Sequence, residues 1–396
     1  MKQYLFSAVL LGLLTLTSCG DQTTPQQETS LENNVDQFAD VKVLRYQIPG
    51  FEDLTLNEQK LVYFMTQAGL EGRDIMWAQN YRHNLEIRKA LERIYVDFPG
   101  ERNNEQWMAF ETYLKRVWFS NGIHHHYSND KIMPEFPAKY LQELLIASGA
   151  TLEGEAFEVI FNDKDNKKVN LSKDADIVLE SAINFYGPDV TAQDVEDYYG
   201  LVSVDPERPI EIGLNTRLVK QDGALVEQVY RSGGLYGEAI DRIIYWLEQA
   251  VTVAENPAQA KALNLLIEYY KTGDLHTWDE YAVAWVNATE GNIDWINGFI
   301  EVYNDPKGYK GSYETIVQIK DFDMSKKMSV LSEQAQWFED NSPLMPEHKK
   351  KELKGFRTRL WSWPENLVMR LRARPSALIY RTITGSDKPM EVSRSL

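Results

Sequence analysis

Asn292-Ile293-Asp294-Trp295-Ile296-Asn297-Gly298-Phe299-Ile300-Glu301-Val302-Tyr303-Asn304-Asp305-Pro306-Lys307-Gly308-Tyr309-Lys310-Gly311-Ser312-Tyr313-Glu314 is the most distinctive run in this chain. An amphipathic segment ends in Glu301-Val302-Tyr303-Asn304-Asp305-Pro306, and a glycine-containing turn follows through Gly308 and Gly311. If the backbone is extended there, Glu301 and Tyr303 face the same side, because side chains alternate along a strand. A carboxylate beside a phenol can anchor a cationic amine and donate a hydrogen bond to a developing oxyanion. The same residues also fit a plain salt-bridged loop joining a helix to a strand.

Working outward, strand-like alternation continues at 315–319 and recurs at 41–48, 155–161 and 169–171. Helical spacing is more extensive. Leu85, Ile87, Leu91, Ile94 and Tyr95 recur along 83–97 before Pro99-Gly100 ends the segment. A long helix is expected from about 236 to 254, with Ile240, Ile243, Ile244 and Leu247 on one face. Pro257 starts another, through Leu263, Leu266, Ile267 and Tyr270, and Gly273 closes it. Thr191 with Asp194 reads as a capping box, and Ser232-Gly233-Gly234 as a helix-entry turn. The expected class is α+β, helix-dominated, with a small β-barrel or sheet surrounded by helices rather than a βαβ repeat.

A chain of 396 residues with 43% hydrophobic and 12% aromatic content builds one large domain or two intimate ones. The net charge of −17 argues against nucleic acid as a partner, because neutralising phosphates needs a basic face. Charge is unevenly spread. From Phe356 onward there are eight basic and three acidic residues, a net of +5, against −22 for the rest. Helical periodicity is lost over the same stretch, and a basic tail of this composition could bind anionic lipid headgroups.

At the other end, Met1-Lys2, an apolar run from Tyr4 to Leu16 and Thr17-Ser18-Cys19 form a secretory signal. The run is shorter than the roughly 20 apolar residues a spanning helix needs. Leu16-Thr17-Ser18-Cys19 fits the bacterial lipobox, so 1–18 is expected to be removed and Cys19 lipidated. Cys19 is the single cysteine, with no disulfide partner to give it another use. Polar residues 19–40 read as a flexible tether. The mature protein is therefore expected in the cell envelope, held on a bacterial membrane by its lipid.

Catalytic signatures are sparse. The six histidines are His83, His124, His125, His126, His276 and His348, and none lies in H-E-x-x-H. His124-His125-His126 either lines a polar cleft loop or pinches a metal ion weakly. No G-x-S-x-G, Walker loop or G-x-G-x-x-G is present.

Ile300-Glu301-Val302-Tyr303-Asn304-Asp305-Pro306-Lys307-Gly308, followed by Lys310-Gly311, resembles the I-E-x-Y-x-D-P-x-G-x-[RK]-G segment of the dipeptidyl peptidase III family. Asn121-Gly122 and Tyr127-Ser128-Asn129-Asp130-Lys131-Ile132-Met133-Pro134 are similar to that family's N-Y-x-x-F-G-D-x-K-F-x-P stretch, with several departures. Val43-Leu44-Arg45-Tyr46 with Pro49-Gly50-Phe51, and Gly72-Arg73-Asp74-Ile75, resemble its bacterial branch. The resemblance implies a two-lobed zinc exopeptidase that releases dipeptides from the free amino ends of oligopeptides. Residues 41–323 would form its lower lobe and 324–355 the start of its upper helical lobe. Glu301 would pair with the substrate ammonium, Tyr303 would stabilise the tetrahedral intermediate, and Tyr127 and Asp305 would contribute to substrate binding.

The chain departs from the family in lacking the zinc sequences H-E-x-x-G-H and E-E-x-x-A-D. A permitted back-translation of residues 377–396, read two bases in, gives I-N-L-P-N-N-N-W-I-R-Q-A-H-G-S-K-S-V-T, close to the family's next segment. Residues 356–396 are accordingly expected to be an out-of-frame, disordered tail. The chain as written is expected to hold no zinc at the family site and to be inactive. A non-catalytic peptide-binding lipoprotein is the alternative.

Overall fold

The computed structural model describes residues 34–45, 48, 50–163, 167–353 and 361–362. The described part opens with a hairpin, β1 (Asn34–Phe38) against β2 (Val41–Leu44). Helices α1 (Leu56–Glu71), α2 (Arg73–Asn80), α3 (Asn84–Asp97), α4 (Glu105–Ser120), α5 (Ala138–Ser148), α6 (Gly154–Phe161) and α7 (Ala192–Gly200) follow. A second antiparallel hairpin, β3 (Thr216–Gln221) with β4 (Ala224–Val229), precedes α8 (Gly237–Val251), α9 (Pro257–Thr272) and α10 (Leu275–Asn287). The long hairpin β5 (Ile293–Glu301) and β6 (Ser312–Lys320) comes next, then α11 (Phe322–Glu333), α12 (Ala335–Asp340) and a two-residue β7 (Trp361–Ser362) on the edge of β6. This is the helix-dominated α+β class, with small antiparallel sheets among helices.

The helix ends are written into the sequence. Thr55 caps α1 in a box with Glu58, and Thr191 caps α7 in a box with Asp194. Asn256 caps α9, Pro257 takes its first turn, and Gly273 ends it at φ +74, where a side chain would be strained. The largest core packs Leu61, Val62 and Met65 of α1 with Ile240, Ile243 and Leu247 of α8. It continues through Leu263, Leu266 and Tyr270 of α9 to Trp295, Phe299, Tyr313 and Val317 of the long hairpin. Each such side chain contributes about 1.5–3 kcal/mol by leaving water. A second core joins Trp77 of α2 to α3 through α6, and a third surrounds Phe185, Val190, Val195 and Leu218.

Helix α2 ties these cores to the long hairpin. It starts at Gly72, where a β-carbon would sit 2.0 Å from the Tyr313 ring, so only glycine lets the helix approach β6 this closely. Its last carbonyls have no partner within the helix. Asn84 Nδ2 donates to Trp77 O (3.2 Å), Asn184 Nδ2 to Ala78 O (2.9 Å) and Asn184 N to Gln79 O (2.8 Å). The buried Gln79 carboxamide then acts as a strand edge: Nε2 donates to Gly311 O (3.1 Å) and Oε1 accepts from Tyr313 N (2.8 Å). Neighbouring Asn80 donates to Asn121 O (3.1 Å), so adjacent residues hold the 121–132 loop and the long hairpin.

Several expectations change. Residues 155–161 are helical, not extended: Ala156, Val159 and Ile160 are the buried set, spaced three and four apart. Residues 169–171 form no strand, and the 41–48 strand stops at Leu44. Residues 34–38, placed in the tether, pair with β2 instead. The 292–301 segment is a strand, so its turn joins two strands rather than helix to strand. In the stretch assigned to an out-of-frame, disordered tail, Trp361 and Ser362 pair with Lys320 and Ile319. The remainder of 354–396, the 1–18 signal and Cys19 lie outside the described residues. No helix among the described residues is long and apolar enough to cross a membrane.

Gln79→Leu keeps the volume but strands a buried carbonyl and a buried amide on the hairpin. It is expected to destabilise the protein by about 2–5 kcal/mol, read as a lowered urea midpoint with unchanged slope. A midpoint within experimental error of the parent would show that water replaces the clamp.

Candidate functional site

The turn between β5 and β6 is built on Asp305. This carboxylate is 5% exposed. Its Oδ2 accepts from Tyr186 OH (2.8 Å), Tyr309 N (2.7 Å) and Lys310 N (2.9 Å), and Oδ1 accepts from Lys307 N (3.1 Å). Burial pushes its pKa up, against the pull of these donors. Gly308 closes the turn at φ +76. Asn304 Nδ2 donates to Ser312 Oγ at 2.8 Å, and Gly311 N to Leu214 O at 2.8 Å. With its oxygens committed inside the protein, Asp305 shapes the turn. The contacts it makes here are those of a positioning residue.

Lys310 lies beneath this turn and is wholly buried. Its ammonium donates to Thr216 Oγ1 (2.7 Å) and Tyr199 OH, stands 3.6 Å from Glu227 Oε1, and lies over the Tyr199 ring at 4.8 Å. Tyr199 and Thr216 hydroxyls both donate to the same Glu227 oxygen. Desolvation draws the Lys310 pKa down to about 8, while Glu227 and Asp305 resist the shift. Lys307 adds an ion pair to Glu196 on α7. The turn is thus fastened from inside by Lys310 and from outside by Lys307.

On this base stand Glu301 and Tyr303. A register shift between Phe299 and Glu301 marks a bulge just before the strand ends, and bulges re-aim the side chains beyond them. Glu301 is half-buried and makes no hydrogen bond or ion pair among the described residues. Tyr303 sits in the turn rather than on the strand, is 44% exposed, and donates from its hydroxyl toward Glu314 Oε1 at 3.4 Å. The result is an accessible phenol two residues from an uncommitted carboxylate on a rigid turn.

Tyr127 stands on a different loop. It is 49% exposed, packs at a tilt against the His126 ring with centroids 4.4 Å apart, and donates its backbone N–H to His125 Nδ1 (3.2 Å). The loop is joined to the hairpin indirectly, through Asn80 and Gln79 of α2. His124 is buried edge-on against Tyr81, and His125 and His126 stack at 4.5 Å. No three His, Cys, Asp or Glu side chains among the described residues converge to hold a metal ion. The described residues therefore do not fit a zinc site. Gln79, Tyr199, Thr216 and Glu227 do not stand out in the sequence, since isolated polar residues in helices and strands carry no local sign of burial. Lys310 is visible there only as part of a motif.

Lys310 has a pH signature. Its folded pKa is lowered, so below about 8 the folded state holds a proton at a cost. Between about pH 8 and 10.5 the unfolded chain binds more protons, and stability rises. Across that window the stability difference between the parent and Lys310→Met is expected to move in favour of the parent, by on the order of 3 kcal/mol. Denaturant titrations of both proteins at pH 7, 9 and 10.5 measure it; a difference independent of pH would mean Lys310 titrates normally.

The description "Peptidase family M49" matches residues 211–357, which include the whole turn. Dipeptidyl peptidase 3 of Rattus norvegicus is 22% identical over 282 residues, covering 62% of this chain and 38% of the rat protein. The Dictyostelium discoideum protein of the same name is 21% identical over 330 residues, covering 74% and 46%. Among solved structures, DPP III from Caldithrix abyssi superposes with a TM-score of 0.55 at 21% identity, over 80% of this chain and 49% of that one. Dipeptidyl-peptidase III from Corallococcus sp. strain EGB gives 0.53 at 17%, over 82% and 50%. This chain spans half or less of the length of each of these proteins. Motif, family model and sequence relatives point the same way: residues 211–357 match the M49 peptidase family, and the chain is similar in sequence and fold to about half of a dipeptidyl peptidase III.

Proposed function

We propose that the β5–β6 turn binds the free amino end of an oligopeptide, as part of a dipeptidyl peptidase. The observation that carries this is Glu301, a half-buried carboxylate with no partner among the described residues, held at the end of a clamped strand. An ammonium–carboxylate hydrogen bond is about twice as strong as a neutral one, and partial burial limits its screening. Tyr303, an accessible phenol, would donate a hydrogen bond to the oxyanion that forms when a nearby amide is attacked. Tyr127 would border the peptide from its own loop.

Zinc supplies the activated water in this family. The described residues of this chain do not fit that metal, and no H-E-x-x-G-H occurs in the sequence. What Glu301, Tyr303 and Tyr127 can do by themselves is hold and orient a peptide. We therefore assign binding of the peptide amino end to this polypeptide, without hydrolysis by the chain as written. This merges with the alternative of a non-catalytic peptide-binding lipoprotein. Oligopeptides with a free amino end are expected to bind the purified chain, and their N-acetylated forms at least tenfold more weakly. Glu301→Gln should erase that preference while leaving the fold intact. Calorimetry on both peptide forms tests this; equal affinity for the two, or zinc-dependent release of dipeptides, would overturn the assignment.

The cell-envelope location rests on the lipobox at Cys19. Expressed with its own signal, the parent should fractionate with membranes and take up labelled fatty acid, and Cys19→Ser should do neither. Label retained by the serine variant would place the lipid elsewhere.

A further inference from the structure

Away from the turn, a cavity of about 110 Å³ opens between the end of α2, the 178–188 segment and β3. Its polar lining comes from Tyr81, Arg82, Ser181, Asn184, Tyr186 and Arg217, and none of its lining residues is acidic. In a chain of net charge −17, a cavity presenting two guanidinium groups and no carboxylate is against the general trend. The two arginines differ. Arg82 is compensated, ion-paired to Glu155 and donating from Nε to His83 Nε2 at 3.1 Å. Arg217 has no carboxylate within ion-pair distance among the described residues, and its Nε is buried without a hydrogen-bond partner.

Leaving a buried guanidinium donor unmet costs more than an average hydrogen bond returns, and the charge adds to that cost. None of its neighbours accepts from it: Asn184 Nδ2, Ser181 Oγ and Tyr186 OH act as donors, to Ala78 O, Ile177 O and Asp305. The backbone N–H groups of Ala182, Ile183, Asn184 and Gly187 are likewise committed to protein carbonyls. What the cavity lacks is an acceptor bearing negative charge. Its volume is ample for one compact anion.

From this geometry we propose that the cavity is a binding site for a small oxyanion, such as inorganic phosphate, gripped by Arg217 and assisted by Arg82. Arginine's planar fork of donors matches two oxygens of such an ion at once, which chloride cannot reproduce. The protein's overall negative charge does not forbid this, because screening at physiological salt confines the repulsion to about 8 Å. The site is independent of the peptide-binding reading of Glu301, which lies on another element and uses the opposite charge.

The test uses the full chain and inorganic phosphate. Thermal unfolding in millimolar phosphate is compared with chloride at equal ionic strength, and ³¹P line broadening reports direct binding. Phosphate is expected to raise the unfolding temperature above the chloride control and to broaden its own resonance. Arg217→Gln should weaken binding roughly tenfold or more, and Arg82→Gln less. Ala182→Phe, which fills the space while keeping both arginines, should abolish binding and guards against misfolding of the arginine variant. Absence of phosphate-specific broadening with the parent protein, or broadening that survives both Arg217→Gln and Ala182→Phe, would overturn the proposal. In that case water solvates Arg217.

Discussion

Everything about the candidate site depends on one buried carboxamide. Gln79 sits in the last turn of a short helix and bonds to Gly311 and Tyr313 along one strand edge of the hairpin, 232 and 234 residues further along the chain. A neutral amide suits this place. It carries one donor group and one acceptor group, matching Gly311 O and Tyr313 N, and it brings no charge that burial would penalise. The helix end is itself secured by asparagines from two other segments, so no carbonyl of the last turn at Trp77, Ala78 or Gln79 is left unmet. Small neutral amides thus act as staples between parts of the chain that share no secondary structure.

Beneath the turn the protein uses charge instead, and it does so in a closed circuit. Asp305 and Lys310 are both buried, but neither faces apolar surroundings alone. Asp305 is met by three backbone N–H groups and a phenol, and Lys310 by two hydroxyls, an aromatic face and Glu227. Full satisfaction makes such a network tolerable in a low-dielectric interior. It also explains the division of labour along the motif. Asp305 and Lys310 point inward to fix the backbone, and the bulge before Glu301 and the turn after it leave Glu301 and Tyr303 for solvent or ligand.

Much of this is legible in the sequence, and the failures have physical causes. Helices α3, α8 and α9 announce themselves because each buries one face over at least fourteen residues, long enough for a 3.6-residue period to stand out, and glycine or proline marks their ends. Helix α6 does not, because eight residues dominated by Glu, Phe, Val and Ile satisfy a period of two nearly as well as a helical one. The strand β5 is hard to type because it is buried on both faces and shows little alternation. In the motif, Glu301 and Tyr303 stand out for chemistry that their exposure permits. Asp305 reads as their companion, and only its contacts reveal that it faces inward. The role of Lys310 depends on Tyr199, Thr216 and Glu227, which lie 83 or more positions away.

The long reach of the Gln79 clamp bears on how the molecule comes into being. A ribosome delivers α2 more than two hundred residues before the strands it must grip, and loop closure over that span is slow compared with forming a local helix. Until residue 313 has emerged, the end of α2 has no strand to bind, and its buried amide must remain hydrated. The candidate site is therefore among the last parts of the chain to be organised during synthesis. An arrested nascent chain that stops short of the hairpin would contain most of the helices and none of the architecture that positions Glu301.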